Sequence, residues 1–508
     1  MAPPIDRLNN DVLLIILSYL KKRDLCALSL TRKRFRMVSS PRLWTVLPID
    51  EAFFVSWWHD NLPTNAHYVR EIAIHLNFDK LPDVLFATKN IRSLEITDMS
   101  LLHDDPRLSI ALAELRELRE LSCGSVEDKM LPTIQSIPSP NLTSLCIGYQ
   151  GHEDVPYNLP PLISAIASFP RLHSLMIEQA SNPTTAVDIA RYPPFASIQQ
   201  LYLNGVTEAA TDLVYLCPNL TSLELGFDDL RTEDPHKSRP TWRPSPIPRL
   251  TLTVLRMRAK DPIVSLLEQR AVRATHVRLS MLWWFTRDGI SFTKREPASR
   301  LSRVLAVLKP RSLYLEASVA PDAKLSDPTR PLWKEVAAAA PHLRALVLHV
   351  ESSDEVDTEF DVDSINDDTE VERPRMLWMP PDTLAAELAR LPLVCVYLKA
   401  DPRLFDRKPG EPDAEHQRLR ALAAFPEKLA AAIPTLRVVG VSDGRLKLEG
   451  VRYTQWWRVE RGNGGDAPSL VELWREDGER ALRLVQHEAF CMSDLDDIYS
   501  EKCRYVPG

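Results

Sequence analysis

A short apolar string that recurs along most of the chain is the feature that most constrains its fold. Each copy has apolar residues at its first, fourth and sixth positions, and the alternation at its end is typical of a half-buried β-strand. Successive copies lie 22 to 48 residues apart, and most intervals fall between 22 and 36. The thirteen copies are VREIAI at 69, IRSLEI at 91, LRELSC at 118, LTSLCI at 142, LHSLMI at 172, IQQLYL at 198, LTSLEL at 220, LTVLRM at 252, ATHVRL at 274, PRSLYL at 310, LRALVL at 343, LPLVCV at 391 and LRVVGV at 436.

The segments between these strings predict helices, for example over 162–168 and 334–340. Several strings follow a proline by two or three residues, as in FPRL, CPNL, APHL and IPTL. Proline cannot continue a helix and favours extended backbone in the residue before it, so it separates each helix from the next strand. A strand and a helix that alternate every 22–36 residues resemble the irregular forms of the leucine-rich repeat.

This resemblance implies an α/β fold: a right-handed leucine-rich-repeat-like solenoid over 69–445, after a small all-helical N-terminal domain and before a C-terminal β cap. The asparagine that usually follows the strand in that family is mostly absent. The alternatives are a closed α/β barrel and an open doubly wound sheet, whose strands are buried on both faces and consist of continuous apolar runs. Interleaved polar residues, and thirteen units rather than the eight of a barrel, favour the solenoid.

Two stretches interrupt the array. Residues 228–250 contain five prolines and many charges, which predicts an exposed loop. A second loop is predicted over 351–380, of which residues 351–372 contain eleven acidic residues and no Lys or Arg. That run lacks the glycine and the ligand spacing of an EF-hand calcium loop, so a solvated insertion is the better interpretation.

The first fifty residues differ from the rest of the chain. They contain nine Lys or Arg against four Asp or Glu, a local charge of +5, whereas the whole chain has a formal net charge of −7. The run VLLIILSYL at 12–20 is too short to span a bilayer. A helix that is apolar all round must bury one side in its own domain and another against a partner. Asp24 is expected to cap a second helix, and a basic third stretch is expected to stop at Pro41.

The order of these residues resembles the F-box, a helical module of this size. The matching positions are Leu8, Asp11, Val12, Leu13, Ile16, Leu17, Leu20, Asp24, Leu25, Leu28, Ser29, Lys33, Arg34, Phe35, Pro41, Leu43 and Trp44. The chain departs from the family at Asn9, where a proline is usual, and at the Lys-Lys-Arg stretch, where a proline often precedes the Asp-Leu pair.

The F-box resemblance implies that residues 1–48 dock onto the Skp-type adaptor of a cullin–RING ubiquitin ligase, while the repeat domain holds a substrate. Residues 49–68 would then be a linker with an N-terminal cap helix, since EAFFVSWWHDNL follows at 51–62. The predicted adaptor-binding residues share burial between the module's own core and the adaptor. They are Leu8, Val12, Leu13, Ile16, Leu20, Leu25, Leu28 and Trp44.

The last residues, 446–508, alternate aromatic and charged side chains around two turn signals, GNGG and EDGE. This pattern predicts an antiparallel β-meander and tail. Its expected role is to cover the exposed end of the solenoid, because terminal repeats need a cap.

No motif of nucleotide, metal or hydrolase chemistry occurs in the chain. We therefore expect no catalytic site, no metal and no cofactor. Cys146 has no activating motif and is expected to be inert. The seven cysteines are scattered without a CxxC, which favours a reducing compartment and hence a cytoplasmic or nuclear protein. The net charge argues against nucleic-acid binding, and the lack of a long apolar run argues against a membrane span.

The residues that alternate with the buried positions of each string are expected to line a concave sheet surface. On this surface the lining becomes cationic toward the middle of the array, which favours an acidic or phosphorylated substrate segment. Ordinary solvated arginines, or screening by the acidic insertion, are the alternatives. The predicted substrate-binding residues are Tyr202, Arg256, Arg258, His276, Arg278 and Tyr314.

Three functions fit the sequence. The first is the substrate receptor of an SCF-type ubiquitin ligase, and the second is a scaffold that binds the adaptor without a cullin. In the third, the apolar N-terminal helix only caps a plain repeat scaffold. Co-purification separates them: adaptor with cullin indicates the first, adaptor alone the second, and neither the third.

Overall fold

The structure is a computed structural model that describes sixteen ranges of the chain. These are residues 8–49, 62–76, 80–99, 106–149, 159–178, 191–204, 208–227, 247–254, 267, 272–281, 295–319, 332–352, 381–400, 412–448, 451–462 and 467–500. The chain divides into two compact units, residues 1–220 and 221–508. Each unit is considered by itself.

The first unit begins with three helices, α1 (Asn10–Ser18), α2 (Lys22–Thr31) and α3 (Lys33–Leu43). The Asn9 side chain caps α1 by accepting a hydrogen bond from the Val12 amide at 2.8 Å. The expected cap at Asp24 is wrong, because α2 begins two residues earlier and Asp24 lies in its first turn. Pro41 lies within α3 rather than ending it. We call α1–α3 the N-terminal module.

The module has a small core of its own. Its buried members come from all three helices and are Leu13, Leu17, Leu25, Phe35 and Val38. Partly buried residues pack around them, namely Leu8, Leu20, Leu28 and Leu43. The module is therefore a packed three-helix unit rather than a single cap helix.

Seven parallel strands follow in the part of the first unit that the structure describes, and each pairs with the next in chain order. They are β1 (Val46–Ile49), β2 (Glu71–Ile74), β3 (Ser93–Ile96), β4 (Glu120–Val126), β5 (Ser144–Tyr149), β6 (Ser174–Glu178) and β7 (Gln200–Asn204). The helices between them are α4 (Leu81–Ala87), α5 (Pro106–Ala113), α6 (Leu131–Gln135) and α7 (Leu159–Ala167), with 3₁₀ turns at Ala66–Tyr68, Asp128–Met130 and Glu208–Leu216. Strands β2–β7 lie where the first six strings predict them.

The strand register places equivalent string positions side by side. Leu94, Leu121 and Leu145 pair in register across β3–β5 and are buried. The residues that alternate with them, such as Glu95, Ser122 and Cys146 in the same register, remain at least partly exposed. We call the surface formed by these alternate residues the polar face of the sheet, in each unit.

The described residues of the second unit form nine strands, again in chain order. They are β8 (Ser222–Phe227), β9 (Ile247–Val254), β10 (Ala274–Met281), β11 (Ser312–Val319), β12 (Ala345–Ser352), β13 (Cys395–Ala400), β14 (Val438–Leu448), β15 (Val451–Glu460) and β16 (Ser469–Leu473). The helices are α8 (Arg295–Leu308), α9 (Leu332–Ala339), α10 (Pro381–Leu388), α11 (Pro412–Ala432), α12 (Arg475–Gln486) and α13 (Asp494–Ser500). Strands β8–β14 are parallel. In neither unit does the described strand order return to its first strand, so the sheet is open and not a closed barrel.

Two predicted loops begin or end within strands. The loop predicted over 228–250 is wrong at its C-terminal end, because β9 starts at Ile247, and Ile247 and Leu250 are both buried. The loop predicted over 351–380 is wrong at its start, since Glu351 and Ser352 pair with β11 at the end of β12. Residues 353–380 lie outside the described residues, as do residues 51–61 of the cap helix predicted over 51–62.

The C-terminal region is only partly the predicted β-meander. Strands β15 and β16 are antiparallel to their neighbours and extend the sheet. The EDGE sequence, predicted as a turn, instead lies inside α12. The reason is helical periodicity: Gly478, Ala481 and Val485 are the buried residues of that helix and recur every three or four positions.

The two C-terminal helices cover the polar face instead of only the end of the sheet. Ala345, Cys395 and Val438 pair in register on the polar face of β12–β14. They share one core with residues of α12 and α13, among them Ala481 and Ile498. Among the described residues, no helix is both long and apolar enough to cross a membrane.

Candidate functional site

Helix α1 presents an apolar surface to solvent. Ile15 is 60% exposed and Tyr19 is 84% exposed, and Leu14 lies between Leu13 and Ile15 with nearly half of its surface accessible. Leu13 and Leu17, by contrast, are buried in the module's core. Because the run has apolar residues on every side, the core cannot bury all of them, and the outer side is left available to a partner.

The eight predicted adaptor-binding residues fall into three groups. Leu13, Leu25 and Trp44 are buried within the chain. Leu8, Leu20 and Leu28 are partly buried against the module's core. Only the remaining two, Val12 and Ile16, are exposed. The exposed apolar residues that the prediction missed are Leu14, Ile15, Tyr19, Leu30 and Met37.

A helical projection of α1 could have found part of this surface. The run contains more apolar residues than one stripe can hold, so those opposite Leu13 and Leu17 have to face outward. Which side faces inward depends on α2 and α3, which supply Leu25, Phe35 and Val38 to the core. Tertiary packing therefore decides which side of α1 faces the core.

Arginines of α3 tie the module together through neutral partners. The Arg34 guanidinium donates to the Leu8 carbonyl and, at 3.1 Å, to Asn10 Oδ1. The Arg42 guanidinium donates to the Leu17 carbonyl. These bonds connect α3 to both ends of α1. Exposed cations at its surface include Lys21, Lys22, Arg23, Lys33 and Arg36.

A second cluster lies on the polar face of the second unit. Arg249 on β9 pairs in register with His276 on β10, which pairs with Ser312 on β11. His276 Nδ1 lies 2.9 Å from Ser312 Oγ. Arg278 comes two residues after His276 on the same face, and both Arg249 and Arg278 are exposed. We call Arg249, His276, Arg278, Ser312 and Tyr314 the cationic cluster.

Aromatic contacts hold part of this cluster in place. The Arg278 guanidinium carbon lies 4.7 Å from the centre of the Tyr314 ring, which is a cation–π geometry. Tyr314 Oη lies 3.2 Å from Nδ1 of His349, a buried histidine on β12. Tyr314 is thus held by a hydrogen bond to His349 and contacts Arg278 with its ring.

The electrostatic potential at His276 is positive because two arginines lie nearby. Burial lowers the pKa of His276, and the charges of Arg249 and Arg278 lower it further, to about 4. The imidazole is therefore neutral near pH 7, and the cluster's charge comes from its two guanidinium groups.

Four of the six predicted substrate-binding residues are described. His276, Arg278 and Tyr314 lie together, whereas Tyr202 belongs to β7 of the first unit, where its hydroxyl donates to Gln200 Oε1 at 3.3 Å. Arg256 and Arg258 lie outside the described residues.

Arg249 is the cluster member that the sequence prediction missed. The strand was expected at LTVLRM from 252, but the overlapping string IPRLTL from 247 has the same apolar spacing and forms most of β9. This second match is the feature of the sequence that could have placed Arg249 on the strand.

The end of α12 and the residues that follow it, 485–488, lie beside the cationic cluster. The Arg344 Nε donates to the Val485 carbonyl at 2.9 Å, and its guanidinium also reaches the His487 carbonyl. The neighbouring Arg311 Nη1 donates to the Glu488 carbonyl at 2.5 Å. The described polar face of the second unit is therefore covered at β12–β14 and open at the cationic cluster.

Cys146 and Cys217 are among the described cysteines whose thiols have raised pKa values. Burial raises the pKa of the Cys146 thiol, and Glu178 and Glu95 raise it further, against a lowering by the Ser122 hydrogen bond. Burial also raises the pKa of Cys217 to about 12. In the described part of the chain, no three potential metal-ligating side chains lie together.

The N-terminal module matches a known family. A family described as F-box-like matches residues 5–47, which span the N-terminal module. The module is thus an F-box-like domain, while the strand-rich remainder of the chain lies outside that match. No curated protein matches the chain.

Proposed function

We propose that the chain is a non-catalytic substrate receptor of an SCF-type cullin–RING ubiquitin ligase. Its N-terminal module binds a Skp-type adaptor, and the polar face of its strand-rich region binds the substrate. One observation supports this most strongly: an F-box-like domain with a core of its own still exposes Leu14 and Ile15 on α1 and Tyr19 just after it.

Energetic reasoning favours a protein partner for this surface. Exposed aliphatic and aromatic side chains are unfavourable in water. Full burial of each one against a partner contributes about 1.5–3 kcal/mol of favourable free energy. F-box domains generally bind Skp-type adaptors through such helices. The cationic residues at the start of α2, Lys21 and Arg23, add a charged border.

The strand-rich region fits the role of a substrate-binding platform. Parallel strands in chain order, with helices in most of the connections, are what a leucine-rich-repeat-like solenoid requires. Such a fold leaves one row of alternate residues free along each strand. The receptor accelerates ubiquitin transfer only by raising the local concentration of the substrate near the ligase.

The decisive experiment is co-purification of the tagged full-length chain with a Skp-type adaptor and a cullin. The test variant is Ile15→Asp, and the matched control is Ile110→Asp on α5, since Ile110 is 58% exposed and Ile15 60%. We expect Ile15→Asp to lose the adaptor and Ile110→Asp to keep it.

Each outcome has a clear meaning. Recovery of adaptor and cullin with the wild-type chain, lost in Ile15→Asp alone, supports the receptor function. Adaptor without cullin indicates the scaffold function instead. Equal adaptor recovery by both variants overturns the assignment of α1 as the docking surface.

A further inference from the structure

We propose that the cationic cluster is a binding site for a phosphoryl-type oxyanion carried by a substrate protein. This inference rests on the proposed function, because it takes the ligand to be part of a substrate. It also specifies the chemistry of the ligand, since two guanidinium groups on neighbouring strands complement a dianion.

The arrangement of donors supports an oxyanion. Guanidinium groups present paired N–H donors that match the oxygens of phosphate. Arg249 and Arg278 extend from adjacent strands on the same face, with His276 between them in the register. Adjacent strands lie about 4.8 Å apart, and residues two apart on a strand about 7 Å, so the backbone positions of these three residues lie within about 9 Å of one another.

Contacts within the cluster hold its side chains in place before a ligand binds. Arg278 already lies over the Tyr314 ring, and Tyr314 is held by His349. His276 is held by Ser312. A ligand therefore orders fewer side chains on binding, and less of its binding energy is spent on that ordering.

The charge pattern limits the site and argues for an anion. Both charges that act on the His276 pKa are positive, and like charges on neighbouring strands repel each other. On one side the site is bordered by Glu224 on β8, which is in register with Thr251. The positive area is therefore limited on the β8 side.

The limited size of this area favours a protein-borne phosphate over a nucleic acid. Nucleic-acid binding proteins neutralise many phosphates along a strand. Here two exposed guanidinium groups form the site, in a chain with a formal net charge of −7. A single modified side chain on a substrate matches that capacity.

The test uses the full-length chain labelled with ¹³C-histidine and observed by NMR. Inorganic phosphate is titrated at constant ionic strength, and the His276 pKa is measured with and without sulfate, an anion of constant charge. We expect a saturable shift of the His276 signal with phosphate, and a rise of its pKa by about one unit with sulfate, because a nearby negative charge stabilises the imidazolium.

Variants locate the site. Arg249→Gln with Arg278→Gln should weaken phosphate binding by about tenfold or more, since it removes two charge-assisted donors. The control Arg273→Gln removes an exposed arginine that precedes β10 and should change nothing. The single variant Arg249→Gln should weaken binding by less than the double variant, and it serves as the test if the double variant does not fold.

The outcomes separate this inference from the proposed function. No saturable shift in the wild type, or equal shifts in the wild type and the arginine variants, overturns the site. A glycine-flanked phosphoserine peptide should reproduce the phosphate effect and its serine counterpart should not; binding of free phosphate alone overturns the substrate part. Failure of the wild type to bind the adaptor overturns the proposed function, while the NMR titration still decides the site.

Discussion

Gly478 on α12 brings its bare α-carbon against the indole ring of Trp456 on β15, so that a β-carbon there would overlap the ring. Gly440 on β14 meets the same ring from the sheet, where a β-carbon would lie 2.6 Å from Cε3. Tyr397 stacks on the indole, with ring centroids 4.8 Å apart. Contacts from both the helix and the sheet thus centre on Trp456 and hold α12 on the polar face.

Replacing Gly478 by Ala should destabilise the C-terminal segment. Alanine favours an isolated helix over glycine by about 1 kcal/mol, but forcing a methyl group into a filled core costs about 1–3 kcal/mol. We expect faster amide hydrogen exchange throughout α12. Gly148→Ala is the control, since a β-carbon there would meet Gly124 Cα at an ordinary 3.6 Å. Unchanged exchange in Gly478→Ala would show that the helix can move away from the ring.

Replacing Arg344 by Met should loosen the end of α12. The variant keeps the aliphatic stem but loses the bonds to the Val485 and His487 carbonyls. Hydrogen bonds from charged groups contribute about 1.5–3 kcal/mol. Hydrogen exchange should rise over 484–490. The control Arg390→Met removes only an exposed pair with Glu387 at 3.2 Å and should cost at most about 1 kcal/mol. Equal effects of the two would contradict an anchoring role for Arg344.

Leu13 and Ile15 should respond differently to truncation. Leu13 is fully buried, so Leu13→Ala should destabilise the N-terminal module by about 2–5 kcal/mol. Ile15 is mostly exposed, so Ile15→Ala should change stability by about 0.5 kcal/mol or less. Hydrogen exchange of α1–α3 in the full-length chain measures both. A loss of adaptor binding in Leu13→Ala alone would therefore report an unfolded module, and comparable destabilisation by both variants would contradict the core packing.

The folded chain should become less stable as the pH is lowered, because His276 has a lower pKa in the folded chain than in the unfolded chain. Its pKa is about 4 in the folded chain against an ordinary value of 6.5, because it is buried and faces Arg249 and Arg278. The unfolded chain thus binds more protons between these values, and stability is lost as the pH falls from about 6.5 to 4. The contribution is at most about 3 kcal/mol. His276→Gln should flatten this part of the melting-temperature profile, whereas His342→Gln, at an exposed histidine, should not. A profile unchanged by His276→Gln would contradict a neutral, partly buried histidine.

Deleting residues 353–372 should leave the second unit folded. Shortening a charged connection changes loop-closure entropy little, so the melting temperature should stay close to that of the full chain. A deletion that starts at Glu351 should be worse, because Glu351 and Ser352 pair with Ser318 and Val319. A large drop in melting temperature after the shorter deletion would show that the acidic segment packs on the fold.

The strands could be predicted because their signal is local. In IRSLEI and LTSLCI, buried Leu94 and Leu145 alternate with polar neighbours, and this period of two persists in any arrangement of the sheet. The N-terminal module was predictable for a similar reason, since its apolar spacing and its Asp-Leu and Leu-Trp pairs lie within fifty residues.

Strand register in a continuous alternating run was not predictable in the same way. From Ile247 to Met257 two overlapping strings have the same spacing, and each would form an equally good half-buried strand. Pairing with β8 and β10 selects the earlier one and so brings Arg249 beside His276. A short slip of this kind exchanges the residues that reach the polar face.

The sequence by itself determined that an F-box-like helical module precedes an array of alternating strands and helices, because both follow from apolar spacing within a few tens of residues. Tertiary structure alone decided that Leu13 faces inward and Ile15 outward, since α1 is apolar on all sides and only its packing against α2 and α3 distinguishes them. It also decided that α12 covers Cys395 and Val438 while Arg278 stays open. These outcomes depend on contacts between residues far apart in the chain, which no local pattern encodes.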